Sequence, residues 1–302
     1  EQETYLINIQ NNILKIIESN NNNFSNKVID NVINLNNTFI SFFADKTIQY
    51  FDYFNQIISL ILSMNQKYPK IFSLTLNLYN QIMIYNNNTD KYNDISKIGF
   101  DVLNSINSIY NNLKKDDEII YLANKQTEFL NLYIQKSSYF VNNINNNEVF
   151  IKSFDNILNI FDKSNHKDFT INLINLIKLL IDFSSNNNIF QNILKEKFFE
   201  KIIKSIINHI QYFDSSYHKC VKNCFLILIN CVNSIFEENF YKVLNEIYDV
   251  QQISEIIIKY LKSVKNNNMT SKINDKKIKE FLDDLKEIFF GTNKEKYDFI
   301  EK

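Results

Sequence analysis

Apolar positions recur at helical spacing along almost the whole chain. In HKDFTINLINLIKLLIDFSSNNN, Phe169, Leu173, Leu176, Leu180 and Phe183 follow one another at four-three-four-three, one stripe of a helix. Ile174, Ile177 and Ile181 widen the stripe to more than half the circumference, which predicts neighbours on two sides. The same reading predicts helices near 4–18, 25–45, 47–66, 70–86, 91–113, 117–136, 147–162, 167–185, 189–212, 215–236, 239–262, 273–289 and 293–301. Asn-rich runs at 20–23, 86–88, 142–147, 186–188 and 266–268 separate them. Asn competes for backbone hydrogen bonds and so favours caps and turns over helix interiors. Thr89-Asp90 and Asp116-Asp117 stand where caps and first-turn acids belong. Pro69 falls at the start of a stripe, where a missing N–H costs little.

Paired helices start near 25, 70, 117, 167 and 215. A period of roughly 40–47 residues with two helices per period marks HEAT-like solenoids. Each inner helix of such a stack must touch its own partner and the adjacent pairs, which the wide apolar faces allow. The predicted fold is therefore all-α: a right-handed, superhelical HEAT/armadillo-like solenoid of about five to six antiparallel helix pairs. It would occupy residues 1–302 as a single segment. The chain begins Glu-Gln-Glu-Thr without Met, so it is expected to be a piece of a longer protein.

Composition narrows the chemistry. The 302 residues include two glycines, Gly99 and Gly291, too few and too isolated for phosphate loops, nucleophile elbows or tight hairpins. Roughly one residue in six is Asn and Arg is absent, a bias that reads as A/T-rich codon choice rather than function. Net charge is −1, and without Arg the usual bidentate reader of guanine and phosphate is missing, so no direct nucleic-acid partner is expected. No apolar run reaches the roughly 18 residues of a membrane span, and no signal peptide is found, so no membrane partner is expected either.

The one stretch that invites a metal or redox reading is HKCVKNCFLILINC, His218 to Cys231, which holds all three cysteines. On a helix, His218 and Cys220 point about 200° apart, and Cys231 lies roughly 16 Å along the axis from Cys220. Only Cys220 and Cys224 could share an ion, whereas zinc wants four ligands. Tyr217, Cys220, Cys224, Ile227, Cys231 and Ile235 instead form one stripe, which predicts core packing. His166 falls at a turn, and His209 near a helix end, where it suits the dipole. Asp283-Asp284 with Lys286 reads as a solvated face, and KEKFFEKIIKSIINH (195–209) as surface pairs of Lys with Glu196 and Glu200. The aromatics of YFDYFNQ (50–56) read as core or interface. No catalytic, cofactor-binding or metal-binding residue is assigned, and no cofactor is expected.

Taken in order, the helices resemble the C-terminal part of an importin-β-type nuclear transport receptor (karyopherin), of the branch with transportin-3 (transportin-SR) and importin-13. FSNKVIDNVINLNNTFISFFADKTIQYFDYFNQIISLILSMNQKYPKIFSLTLNLYNQIMIY (24–85) resembles a helix pair and the next helix of that branch. TEFLNLYIQKSSYFV (127–141) resembles its Phe-Ile-Gln-Arg-small-Pro pattern, with Tyr133, Ile134, Gln135, Lys136 and Ser137 matching and Ser138 in place of the proline. FEKIIKSIINHI…FLILINCVNSIFEENFYKVLNEI resembles a late repeat, and IKEFLDDLKEIFFGTNKEKYDFI the closing helices with their acidic-Phe end at Asp298-Phe299. The resemblance implies a non-enzymatic receptor shuttling between nucleus and cytoplasm. It would bind a cargo protein, of which Ser/Arg-rich splicing factors are the type, as well as Ran-GTP and Phe-Gly nucleoporins. No cargo or Ran contact residue carries over. The runner-up expectation is a HEAT/armadillo scaffold of a signalling or cytoskeletal assembly, of the formin type.

Overall fold

The computed structural model describes residues 2–19, 26–64, 69–85, 101–110, 113–136, 148–210, 212–213, 217–248 and 251–266, with 280, 283, 286 and 287. Among them every regular element is helical and no strand occurs. The chain divides into two compact units, Glu1–Ser153 and Phe154–Lys302.

The first unit holds α1 (Gln2–Ser19), α2 (Asn26–Phe43), a 3-10 segment (Ala44–Tyr50), α3 (Phe51–Met64), α4 (Pro69–Tyr85), helical residues 101–109 (α5) and α6 (Asp116–Lys136). The unit boundary falls inside α7 (Glu148–Phe161). Helix α4 packs on α2 and on α6. Its Leu74, Thr75, Leu76, Leu78, Tyr79 and Asn80 are all buried, so it is covered nearly all round, as an inner helix must be. Tyr79 faces Phe129 of α6 at 6.2 Å, and Phe129 stacks on Tyr133 at 5.6 Å. In parallel, α1 packs on α3, and Asn107 of α5 donates to the Val149 carbonyl and to Ser153 Oγ of α7.

The second unit repeats this alternation with α8 (Lys167–Ser184), the short α9 (Asn188–Ile193), a π turn (Leu194–Phe198), α10 (Phe199–Ile210), α11 (His218–Cys231), α12 (Glu237–Ile247) and α13 (Gln251–Asn266). One row runs α8, α11, α13; the other takes α7, α10 and α12. Along α10, Ile202, Ile203, Ile206, Ile207 and Ile210 are buried on one side. Full burial of each contributes about 1.5–3 kcal/mol of transfer free energy, so α10 is held by its apolar face. In each unit, then, with α9, the π turn and α10 taken as one helical stretch, a helix packs on its second neighbour in sequence, an arrangement consistent with a helical solenoid.

The polar links along the rows carry the same spacing. Tyr53 bonds Gln10, Asn77 bonds Asn37, Asn107 bonds Ser153, Lys201 bonds Asp155 and Asn223 bonds Asn175, at separations of 40 to 48 residues. Two of these are Asn–Asn bridges between consecutive helices of a row, at 3.3 Å for Asn77–Asn37 and 2.6 Å for Asn223–Asn175. Asn inside helices, discounted above with the Asn runs, here joins neighbouring repeats.

Local signals explain the helix ends. Pro69 opens α4, and Asp116, Asp117 and Glu118 occupy the first turn of α6 beside the helix dipole. Asn187 caps α9, accepting from the Phe190 N–H at 3.0 Å. Asn233 takes φ 50° just past α11, the left-handed position that Asn tolerates, and its N–H meets Glu237 at 2.6 Å. Ala44 takes φ 42° without that tolerance, where α2 gives way to the 3-10 segment.

Two expectations change. The helix predicted over 239–262 is two helices, α12 and α13, parted at the extended residue Tyr248. Apolar spacing runs through the break without Gly, Pro or an Asn run, so periodicity alone joins what tertiary packing divides. The division lets Phe240, Val243 and Leu244 serve one row while Ile257, Leu261 and Val264 serve the other. The helix predicted over 189–212 is interrupted by the π turn. The helix over 293–301, residues 91–100 and most of 273–289 lie outside the described residues. So do the Asn runs at 20–23, 86–88 and 142–147, together with Thr89-Asp90, Gly99, Gly291 and Asp284.

Candidate functional site

The cysteine stripe is core. Cys220, Cys224 and Cys231 are all buried and free, on the helix that packs between α8 and α13. Burial, then the hydrogen bond with Cys220, pushes the Cys224 thiol well up, and burial pushes up Cys231 despite nearby Lys265. Thiols held protonated are poor nucleophiles. Cys231 Sγ donates to the Ile227 carbonyl at 3.2 Å within its own helix. Ile235, predicted on the same stripe, lies past the end of α11 and is 49% exposed. Among the described residues no three His, Cys, Asp or Glu side chains converge as metal ligands. Replacing all three cysteines by Ala is expected to lower stability by about 1 kcal/mol per site or somewhat more. Urea unfolding checks this, and one equivalent of zinc in the purified protein, lost with the thiols, would contradict the packing role.

The histidines do different work from that expected. His166 is exposed in the turn before α8. His209 is buried rather than merely placed at a helix end. Its ring stacks on Phe161 at 3.8 Å and 11°. Its Nδ1 lies 2.8 Å from the Ser205 carbonyl oxygen and its Nε2 3.3 Å from that of Ser164. It joins α10 to the turn after α7, a role hidden in sequence because its partners lie 45 residues away.

The Lys-bearing run 195–209 forms the wall of a polar groove of about 830 Å³ between α10 and α12. Lys204 is held by Glu200 at 2.6 Å, the expected i,i+4 pair, and also by Glu246 of α12 at 2.9 Å. Hydrogen bonds from Lys204 hold the Glu246 carboxyl below its usual range, while Glu200 and Glu246 raise Lys204. Lys201 reaches back to Asp155 at 2.7 Å and to Asn159 at 2.5 Å. Ser205 donates to Asp162. All of this network but the Lys204–Glu200 pair joins different elements, and the groove is closed by its own ion pairs. Lys286, expected on a solvated face, is half-buried and donates to the Phe213 carbonyl at 2.5 Å; Asp283 is exposed.

A second groove, of about 1050 Å³, opens between α12 and α13 beside the turn that follows α11. Ile235, Ile258 and Tyr241 give it an apolar floor, and Glu238 and Glu255 stand at its edge. Its frame is fixed by α13: Lys262 pairs with Glu237 at 2.5 Å, Lys265 donates to the Val232 carbonyl at 2.5 Å, and Tyr241 donates to Glu255 at 3.5 Å. The hydrogen bond from Lys262 holds Glu237 below the usual carboxylate range. Nothing in the sequence singled out this surface, because Ile235 reads as a stripe residue until α11 is seen to end before it.

No protein family, no curated protein and no solved structure matches this chain. Among the described residues no helix is long and apolar enough to cross a membrane.

Proposed function

We propose that this chain is a non-enzymatic α-solenoid that acts by binding other proteins through its helical surfaces. The observation that carries the reading is the repeat spacing itself: helices packed on their second neighbours and stitched by side-chain bonds 40 to 48 residues apart. That is the grammar of a helix-pair repeat, and such repeats present extended surfaces for partners. Five to six pairs in a right-handed superhelix are the arrangement proposed.

Within that class, the ordered resemblance to importin-β-type receptors points to nuclear transport. The segment would contribute late repeats to a shuttling receptor that takes a cargo protein, with Ser/Arg-rich splicing factors as the type, under control of Ran-GTP and in contact with Phe-Gly nucleoporins. Pull-down of the full-length protein with GTP-locked Ran tests this, and binding that is lost with the GDP form is expected. No binding under conditions where a known receptor binds rejects transport and leaves the HEAT/armadillo scaffold reading, which needs only the repeat spacing.

A further inference from the structure

Of the eight large apolar side chains exposed among the described residues, four lie on the first helix pair: Tyr5 and Ile16 on α1, Val28 and Phe42 on α2. Their placing is regular. At about 100° per residue, Val28 and Phe42 stand about 180° and 140° round α2 from Asn37, whose Oδ1 accepts from Asn77 of α4. Half-buried Leu35 falls between them, on the same line. On α1, Tyr5 and Ile16 stand about 180° and 160° round from the buried Leu14, with half-buried Ile9 between them. Each stripe is thus turned away from the side that its helix already buries, where α1 packs on α3 and α2 on α4. A solenoid pair that faces only water carries a polar outer side. This pair instead shows Tyr5 at 69% and Phe42 at 58% exposure.

We propose that the outer side of α1 and α2 is an interface between two copies of this chain, related by a twofold axis. The side chains beside the stripes select this occupant. Asn8 and Asn12 on α1 and Asn31 and Asn34 on α2 are exposed. An amide both donates and accepts, so a face of apolar stripes edged with Asn is complementary to itself, as an isologous interface must be. The fold already joins its own helices with this chemistry. Helix α4 meets α2 through buried apolar side chains and the Asn77–Asn37 bridge at 3.3 Å. Lys15 and Lys27 are the only exposed charges among the described side chains of the pair. Both stand about 60° or more off the stripes, so charge selects no other partner. Two such faces brought together continue the stacking of helix on helix across the axis. The proposal rests on the helix-pair stacking put forward above and stands whether or not the protein meets Ran.

Sedimentation equilibrium of the 302-residue chain is the test. A reversible dimer of twice the 36.0 kDa chain mass is expected. Phe42→Glu, and Tyr5→Glu together with Ile16→Glu, should each weaken the dimer about tenfold or more. Helical circular dichroism should be unchanged in both variants, because the substituted side chains are exposed. Ile235→Glu, exposed in the other unit, should leave the dimer as it is. A monomer at every concentration, a dimer that neither variant weakens, or growth past the dimer would each overturn the assignment. A monomer with full helical signal would overturn it alone, and loss of that signal would strike the stacking reading as well.

Discussion

Truncating Phe161 to alanine should destabilise the Phe154–Lys302 unit by about 3–5 kcal/mol, the range for a large aromatic lost from a closed core. The side chain is fully buried. It stands where α7, α8 and α10 meet, edge-on to Phe169 at 6.2 Å and face-on to His209 at 3.8 Å. Neighbours cannot collapse into the gap easily, because whichever ring nitrogen of His209 carries the proton has a carbonyl oxygen to donate to, that of Ser205 at Nδ1 or that of Ser164 at Nε2. Urea unfolding followed by helical circular dichroism reads the effect. Combining Phe161→Ala with His209→Ala should show coupling of about 0.5–1.5 kcal/mol, the range for a ring pair beyond its buried area. A loss under about 1 kcal/mol for Phe161→Ala would mean that the three helices do not share this core.

The second large effect changes sign with one atom. Tyr79 is fully buried between α4 and α6, and its hydroxyl has no hydrogen-bond partner. Burial, and then Asp101, push its phenol well above the ordinary range, so the ring stays neutral. Tyr79→Ala should cost about 3–5 kcal/mol through the cavity it leaves. Tyr79→Phe keeps the ring against Phe51 and Phe129 and removes an unsatisfied polar atom, whose burial costs about 1–3 kcal/mol. The Phe variant is therefore expected to be as stable as the parent or up to about 1 kcal/mol more so, by thermal and urea unfolding. A clear destabilisation by Tyr79→Phe would show that the hydroxyl has a partner in solution.

How far the sequence foretold this molecule depended on the range over which each signal acts. Helices α2, α4, α6 and α8 were legible because their stripes are long and their starts carry local markers, such as Pro69 and the acids at 116–118. The buried fate of the three cysteines was legible from spacing alone, since no fold of one helix brings Cys220 and Cys231 to one ion. The split between α12 and α13 was not, because Tyr248 continues the apolar pattern that it interrupts. Nor were the bridge of Lys201 to Asp155, the burial of His209 or the exposure of Ile235. Each depends on a partner, or on a helix end, that periodicity does not encode.

The bonds that link helices about one period apart have a mechanical consequence. Where a side-chain link spans 40 to 48 residues, as at Asn77–Asn37, Asn107–Ser153, Lys201–Asp155 and Asn223–Asn175, closing it orders little more than one helix pair, which keeps the contact order of that framework low. Such a molecule behaves like a zip fastener. Folding can begin at several places and spread to neighbours, and damage at one pair is felt chiefly by the pairs on either side. Under tension it should give way tooth by tooth, each step releasing a similar length of chain.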